Sequence, residues 1–356
     1  MADFTQQLIA VATENPPGNH YARCAEVIER KLIEMGLVAG AVGPGPCVLA
    51  SYGDGDRWLH FHGHYDVVPA SVDGQFEPYV KGANLFGRGS SDMKSGLVAM
   101  IYAVHALRVA KVLLNVRIQL VIVPDEETGG QRGSAWLREA GRLGATGSVG
   151  MLTAEPTSGV VWNGNRGAIS LRVTAKGKAA HVGLSHQGVN AFEKMLAVAG
   201  ELQKLKEEVH ARGSILLIGG ECRGGSNFNV VPDRCSFTVD RRTNPDEDFA
   251  TEKRRLLDIV KEHDVEIIQE GSASWVSEDH SLARTLAAAI ESVTTKQPRF
   301  EMCPGLLENR FYAERGIPAF AYGPGLLSVS HGPNEFVPLR NIRDCAAVYA
   351  LTALSV

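Results

Sequence analysis

The chain has 356 residues, more than one hydrophobic core ordinarily organises, so two domains are expected, each able to bury a core of its own. Charged residues make up 21% and hydrophobic residues 44%, a globular composition that excludes disordered and membrane-spanning classes, and a net charge of -4 offers nothing to a nucleic acid. Met1-Ala2-Asp3-Phe4-Thr5-Gln6-Gln7 has no basic run ahead of an apolar one, and Cys24, Cys47, Cys222, Cys235, Cys303 and Cys345 stand singly, so a cytoplasmic protein with buried, reduced thiols is expected.

In chain order, Tyr21, Cys24, Val27, Ile28 and Leu32 recur at helical spacing and Gly36 supplies a stop, which predicts a helix over 21–35. Apolar runs at 47–52, 58–61, 116–123 and 149–153 predict strands, alternating with helical stretches at 95–109 and 133–143 in an α/β rhythm. After Pro156 the rhythm changes to a strand at 168–175, a helix at 189–205, strands at 214–218 and 229–240, a helix at 246–263 and a strand at 265–269. That β-α-β-β-α-β order is the split βαβ signature of a small ferredoxin-like domain. Helix and strand patterns at 282–293, 319–322 and 346–354 then complete the α/β unit. The expected architecture is an α/β catalytic domain in two parts, 1–163 and 274–356, interrupted by an inserted ferredoxin-like lid or dimerisation domain over 164–273.

Chemistry-bearing residues gather at the ends of these strands. Gly63-His64-Tyr65-Asp66 ends an apolar strand, where open α/β sheets bind ligands, and Asp66 is placed to accept the imidazole's other N–H or to buttress a neighbour. His60 and His62 lie inside the apolar run and are assigned to the core. Gly87-Arg88-Gly89-Ser90-Ser91-Asp92 is a glycine-rich loop entering a helix, so Asp92 is either an N-cap or a carboxylate able to bridge two cations, and the phosphate-binding glycine spacings are absent. Asp125-Glu126-Glu127 and Ala154-Glu155-Pro156 put more carboxylates past apolar runs, a repulsive cluster unless it is solvated or neutralised by cations. His331, in Ser330-His331-Gly332-Pro333-Asn334-Glu335, supplies a second loop imidazole. Two imidazoles with several carboxylates suit zinc, cobalt or manganese better than the all-oxygen coordination of calcium or magnesium.

At these residues the sequence resembles the two-metal amidohydrolases that include acetylornithine deacetylase, succinyl-diaminopimelate desuccinylase, aminoacylases and glutamate carboxypeptidases. The motifs stand in the family's order: Gly63-His64-Tyr65-Asp66-Val67-Val68-Pro69, Gly87-Arg88-Gly89 leading to Asp92-Met93-Lys94, Glu126-Glu127-Thr128-Gly129, Ala154-Glu155-Pro156 and His331-Gly332-Pro333-Asn334-Glu335. The resemblance implies two divalent metal ions per chain, zinc favoured over cobalt or manganese. His64, Asp92 and Glu155 would hold one ion and Asp92, Glu127 and His331 the other. It implies Asp66 as an orienting residue, Glu126 as the general base and His181, in Gly177-Lys178-Ala179-Ala180-His181, as a lid residue reaching the reacting carbonyl from a partner subunit. Asn229 and Arg241 resemble substrate-contacting lid residues. Where many relatives carry Gly-Ser/Thr-Asp-Ala-Arg, this chain has Gly305-Leu306-Leu307-Glu308-Asn309-Arg310, so Glu308 is taken as a further substrate residue and an apolar pocket is expected beside Leu307.

The resulting expectation is a homodimeric hydrolase that attacks the amide of a small N-acyl amino acid or short peptide with a metal-bridging water, without nucleic-acid or membrane partners. A deacylase is favoured, with Arg241 pairing to the substrate's free carboxylate. A carboxypeptidase or dipeptidase on the same centre is the alternative, and a non-catalytic metal-binding or regulatory homologue is the remote one.

Overall fold

The computed structural model describes residues 1–356, which divide into two compact units: Met1–Gly164 with Trp275–Cys303 and Leu307–Val356, and Asn165–Ser274 with Pro304–Leu306. The first unit is built on a nine-stranded mixed sheet. At its centre Arg57–His64 pairs in parallel with Val116–Val123 on one side and Ser148–Thr153 on the other, and Ala319–Ala321 continues in parallel beside Ser148–Thr153. Cys47–Tyr52 joins Val116–Val123 antiparallel, and Val38–Val42 forms a hairpin with it. The central strands are buried on both faces, so they read as apolar runs rather than alternations. Helices Tyr21–Glu34, Lys94–Val109, Ser281–Thr294 and Leu339–Ser355 contribute Ile28, Leu97, Leu286 and Tyr349 to the same core as Leu59, Phe61 and Leu120.

The second unit is a four-stranded antiparallel sheet in the order Ile215–Gly224, Arg234–Thr243, Gly167–Lys176, Asp264–Gly271. Helices Ala191–Ala211 and Phe249–Val260 complete the β-α-β-β-α-β order. Asn190 caps the first helix through Phe192 and Glu193 N–H, and Asp248 caps the second through Thr251 N–H. The core sets Met195, Leu202 and Leu256 from the helices against Leu171, Val173, Phe237 and Val239 from the sheet.

The strand expected at 229–240 is displaced, and the helix expected at 346–354 begins earlier, at Leu339. The strand begins only at Arg234, because the preceding segment pairs with 180–182 instead, Val231 N–H donating to the Ala180 carbonyl and Val182 N–H to the Asn229 carbonyl. The helix expected over 133–143 shortens to Ser134–Glu139. No helix is long and apolar enough to cross a membrane.

Candidate metal centre

Parallel strands of one sheet deliver their carboxyl ends to one edge, and most of the acidic motifs sit there. His64 is the last residue of Arg57–His64 rather than lying beyond it, and Glu155 follows Ser148–Thr153. Glu126 and Glu127 occupy a short helical turn just after Val116–Val123. Glu155 is held by close packing on two sides. A Cβ on Gly96 would lie 2.4 Å from the Ala154 carbonyl oxygen, and one on Gly323 would lie 2.2 Å from those of both Ala154 and Glu155. Glycine is needed at both positions for main chain to approach main chain so closely.

Asp92 is not a helix N-cap. The helix starts at Lys94 with Met93 as its N-cap residue, and the Asp92 carboxylate lies between the two imidazoles. His64 Nε2 is 3.4 Å from Asp92 Oδ1 and 3.9 Å from Glu155 Oε1, while His331 Nε2 is 3.3 Å from Asp92 Oδ2 and 3.5 Å from Glu127 Oε1. Two candidate ligand groups result, His64-Asp92-Glu155 and Asp92-Glu127-His331, each with one donor atom per residue and all donors within 4.8 Å of one another. Glu126 belongs to neither group, although its Oε2 lies 4.0 Å from His64 Nε2.

The electrostatics of the protein alone are unfavourable here. Burial, followed by Glu155, Glu127 and Glu308, pushes Glu126 well above the usual carboxylate range against the pull of His64. Burial likewise drives Glu155 up to about 8, with Asp92, Glu308 and Glu127 adding to it and His64 opposing. Asp92 is held low despite burial, because His331 and His64 both bond to it. Hydrogen bonds to Asp92 and Glu127 raise His331 to about 10. A buried crowd of carboxylates that pushes Glu126 and Glu155 towards the protonated form and keeps Asp92 charged between two imidazoles is the donor set that divalent cations neutralise, so the residues fit a two-cation site.

Asp66 serves both His64 and the turn beyond it, with its Oδ1 lying 3.4 Å from His64 Nδ1. His64 Nδ1 donates to the Asp66 main-chain oxygen at 3.0 Å, leaving Nε2 facing the carboxylates. The Asp66 carboxylate also accepts the main-chain N–H groups of Glu126 and Glu127, each at 3.2 Å, and the Asn15 side-chain amide at 2.8 Å. It therefore fixes the turn that carries both glutamates. Asn15 escaped the sequence reading because its only local signal is the Asn15-Pro16-Pro17-Gly18 turn chemistry.

Two expected substrate residues are corrected. Glu308 is 2% exposed and bonded to His62 Nε2, and His62 also meets Tyr312 at 3.0 Å and Ser134 at 3.1 Å, so Glu308 is an internal partner of a core histidine. Leu307 is buried and packs with Trp162, Cys303 and Ala321. Arg241, in the second unit, is fully buried on the inward face of its strand beside Val239 and Phe237. Its Nη2 bonds Glu247 and reaches Glu252 at 2.9 Å, Nε donates to Glu252 at 3.3 Å and Nη1 donates to the Arg242 carbonyl at 2.6 Å. Each nitrogen of that guanidinium already has an internal acceptor, and the side chain is buried away from solvent. Asn229 and His181 come together within the second unit, where Val182 N–H donates to the Asn229 carbonyl at 2.9 Å and His181 bridges to Val230. His181 is exposed, and its Nδ1 accepts the Gly183 N–H at 3.1 Å.

The sequence model of Peptidase family M20/M25/M40 matches residues 60–355. A probable succinyl-diaminopimelate desuccinylase of Staphylococcus epidermidis is 30% identical over 247 residues, which span 60% of this chain and 60% of that protein, less than two thirds of its length. The succinyl-diaminopimelate desuccinylase of Gluconobacter oxydans is 28% identical over 323 residues, covering 86% of this chain and 83% of its own. In fold, the M20 family metallo-carboxypeptidase Sso-CP2 from Sulfolobus solfataricus matches with a TM-score of 0.83 at 17% identity, over 99% of this chain and 98% of that one.

Proposed function

Because the chain belongs to Peptidase family M20/M25/M40, a family of metal-dependent hydrolases, we propose that it cleaves the amide bond of a small N-acyl amino acid. The observation that carries this reading is the pair of ligand groups sharing Asp92, with Glu126 beside them and outside both. His64, Asp92 and Glu155 would hold one cation and Asp92, Glu127 and His331 the other, zinc being the metal best suited to imidazole and carboxylate together. Bound cations supply Lewis acidity, making water acidic near neutral pH and polarising the scissile carbonyl. Glu126 takes the proton of the attacking water on a carboxylate oxygen and passes it to the departing nitrogen, since an amide anion is too basic to leave unaided. Asp66 keeps Glu126 in place through its main-chain N–H.

His181 is the proposed donor to the developing oxyanion. With Nδ1 accepting from Gly183, the ring proton sits on Nε2, the atom free to donate. Asn229, on the adjoining segment, is proposed to contact substrate. We further propose a homodimer formed through the second unit, in support of which Phe192 and Leu196 on its first helix and Leu217 on its edge strand are about half exposed. A cytoplasmic setting accords with the buried thiols of Cys24, Cys47, Cys235 and Cys345.

Desuccinylase relatives favour deacylation, and the likeness to a metallo-carboxypeptidase favours the alternative of peptide cleavage on the same centre. The test is a panel of N-succinyl amino acids, N-acetyl amino acids and dipeptides with metal-free, zinc-loaded and Glu126→Gln protein. Activity is expected only with metal, and Glu126→Gln should keep its metal while losing about two to four orders of magnitude in kcat. Full activity without metal would overturn the reading, and loss of metal from Glu126→Gln would exchange its role with a ligand's.

A further inference from the structure

Arg88 and Glu335 take no part in the reaction as outlined, yet they form a fully desolvated ion pair at the edge of the metal centre, with Arg88 Nη1 donating to Glu335 Oε2 at 2.6 Å. The other Glu335 oxygen accepts three main-chain N–H groups, from Gly89 at 3.0 Å, Ser91 at 2.9 Å and Asp92 at 3.1 Å. Arg88 Nη2 donates to the carbonyl oxygens of His331 at 3.2 Å and Pro69 at 3.3 Å. Gln75 secures the same loop by donating to the carbonyls of Gly332 at 2.9 Å and Pro333 at 3.2 Å. A buried ion pair is a weak device for stability alone, since apolar residues of similar volume often serve as well. Here its bonds run to the loops that carry Asp92 and His331.

The candidate ligands are supported unequally. His64 ends a strand paired on both sides, and Glu155 follows a strand paired on both sides. Asp92 and His331 sit on irregular loops, and His331 adopts φ 63° with half its side chain exposed. We propose that Arg88 and Glu335 are positioning residues that set Asp92 and His331 for the cation held with Glu127, so that the pair governs affinity for that cation far more than for the one held by His64 and Glu155. Losing the pair leaves the first group two ligands fixed by strands and leaves the second only Glu127. The inference rests on the reading that Asp92 serves two ions.

The experiment is stepwise zinc binding to the full-length, metal-stripped protein, measured by competition with a chromophoric chelator, for wild type, Glu335→Gln, Arg88→Lys and Gln75→Ala. Thermal unfolding of each metal-free protein runs in parallel. Wild type should bind two ions. In Glu335→Gln the tighter step should stay within about threefold while the weaker step loses about 10–100-fold, the usual cost of removing a group that orients a ligand. Arg88→Lys keeps the charge but loses the fork, and Gln75→Ala releases the 332–333 segment without touching Glu335, so both should show the same asymmetry and carry the test if Glu335→Gln does not fold. A general loss of stability weakens both steps alike, so equal weakening of the two steps, or no change in either, overturns the inference alone. A wild type that binds a single ion overturns the two-ion reading and this inference with it.

Discussion

Filling the metal centre should expel protons, and the number follows from the charges already there. In the metal-free site Glu155 titrates at about 8, His331 at about 10, and His64 is held well above its ordinary value, its burial outweighed by bonds to Asp66 and Asp92. At pH 7 all three are protonated, and each must become neutral imidazole or carboxylate to act as a ligand. Raised values mean that protons compete more strongly as pH falls, so apparent affinity rises with pH. Each displaced proton contributes about tenfold per pH unit, or about 1.4 kcal/mol. The ion held by His64, Asp92 and Glu155 displaces two, so its apparent affinity should rise about 100-fold between pH 6 and 7, and the slope should fall towards about tenfold per unit once Glu155 ionises above pH 8. The ion held by Asp92, Glu127 and His331 displaces the proton on His331 and should gain about tenfold per unit across the same range. Isothermal titration calorimetry with zinc or manganese, in buffers of different ionisation enthalpy between pH 6 and 8, counts the protons directly. Affinity that stays flat across that range, or a total release below about one proton, would refute the reasoning.

Two further outcomes separate structural from reactive roles. Arg241→Ala should destabilise the protein by about 3–5 kcal/mol, because Glu247 would lose its cation and Glu252 would keep only Arg255. Denaturant unfolding measures this, and an unchanged midpoint accompanied by a raised KM would restore Arg241 as a substrate residue. If His181 acts across a dimer, mixing inactive His181→Ala with inactive Glu126→Gln subunits should regenerate some activity, since one hybrid site receives both intact residues. A fully active monomer would count against that geometry.

Much of the fold was legible because its signals are local. Apolar runs bounded by turns marked the central strands, and the change to a β-α-β-β-α-β order marked the antiparallel unit, since hydrophobic periodicity reports the immediate environment of each element. The ligand candidates could be named because each sits in a motif whose order along the chain carries the resemblance, with His64, Glu127 and Glu155 at or just past the end of an apolar run. The gathering of His64, Glu127 and Glu155 follows from parallel strands that present the same end to one edge, while Asp92 and His331 arrive on loops.

The partners of Arg241, Glu308 and Asp66 are set only by tertiary structure. Arg241 lies two residues after Val239 and four after Phe237, so strand alternation assigns it to the inward face, but whether a buried guanidinium finds carboxylates depends on a helix packed above the sheet. Glu308 meets a histidine 246 positions away, and Asp66 meets the amide of Asn15 from 51 positions away. A sequence determines by itself which residues can be buried and which elements they can form, because those preferences act over a few neighbouring positions. Which charged group is consumed by an internal partner and which is left facing the site depends on contacts between distant segments, and those exist only once the chain has folded.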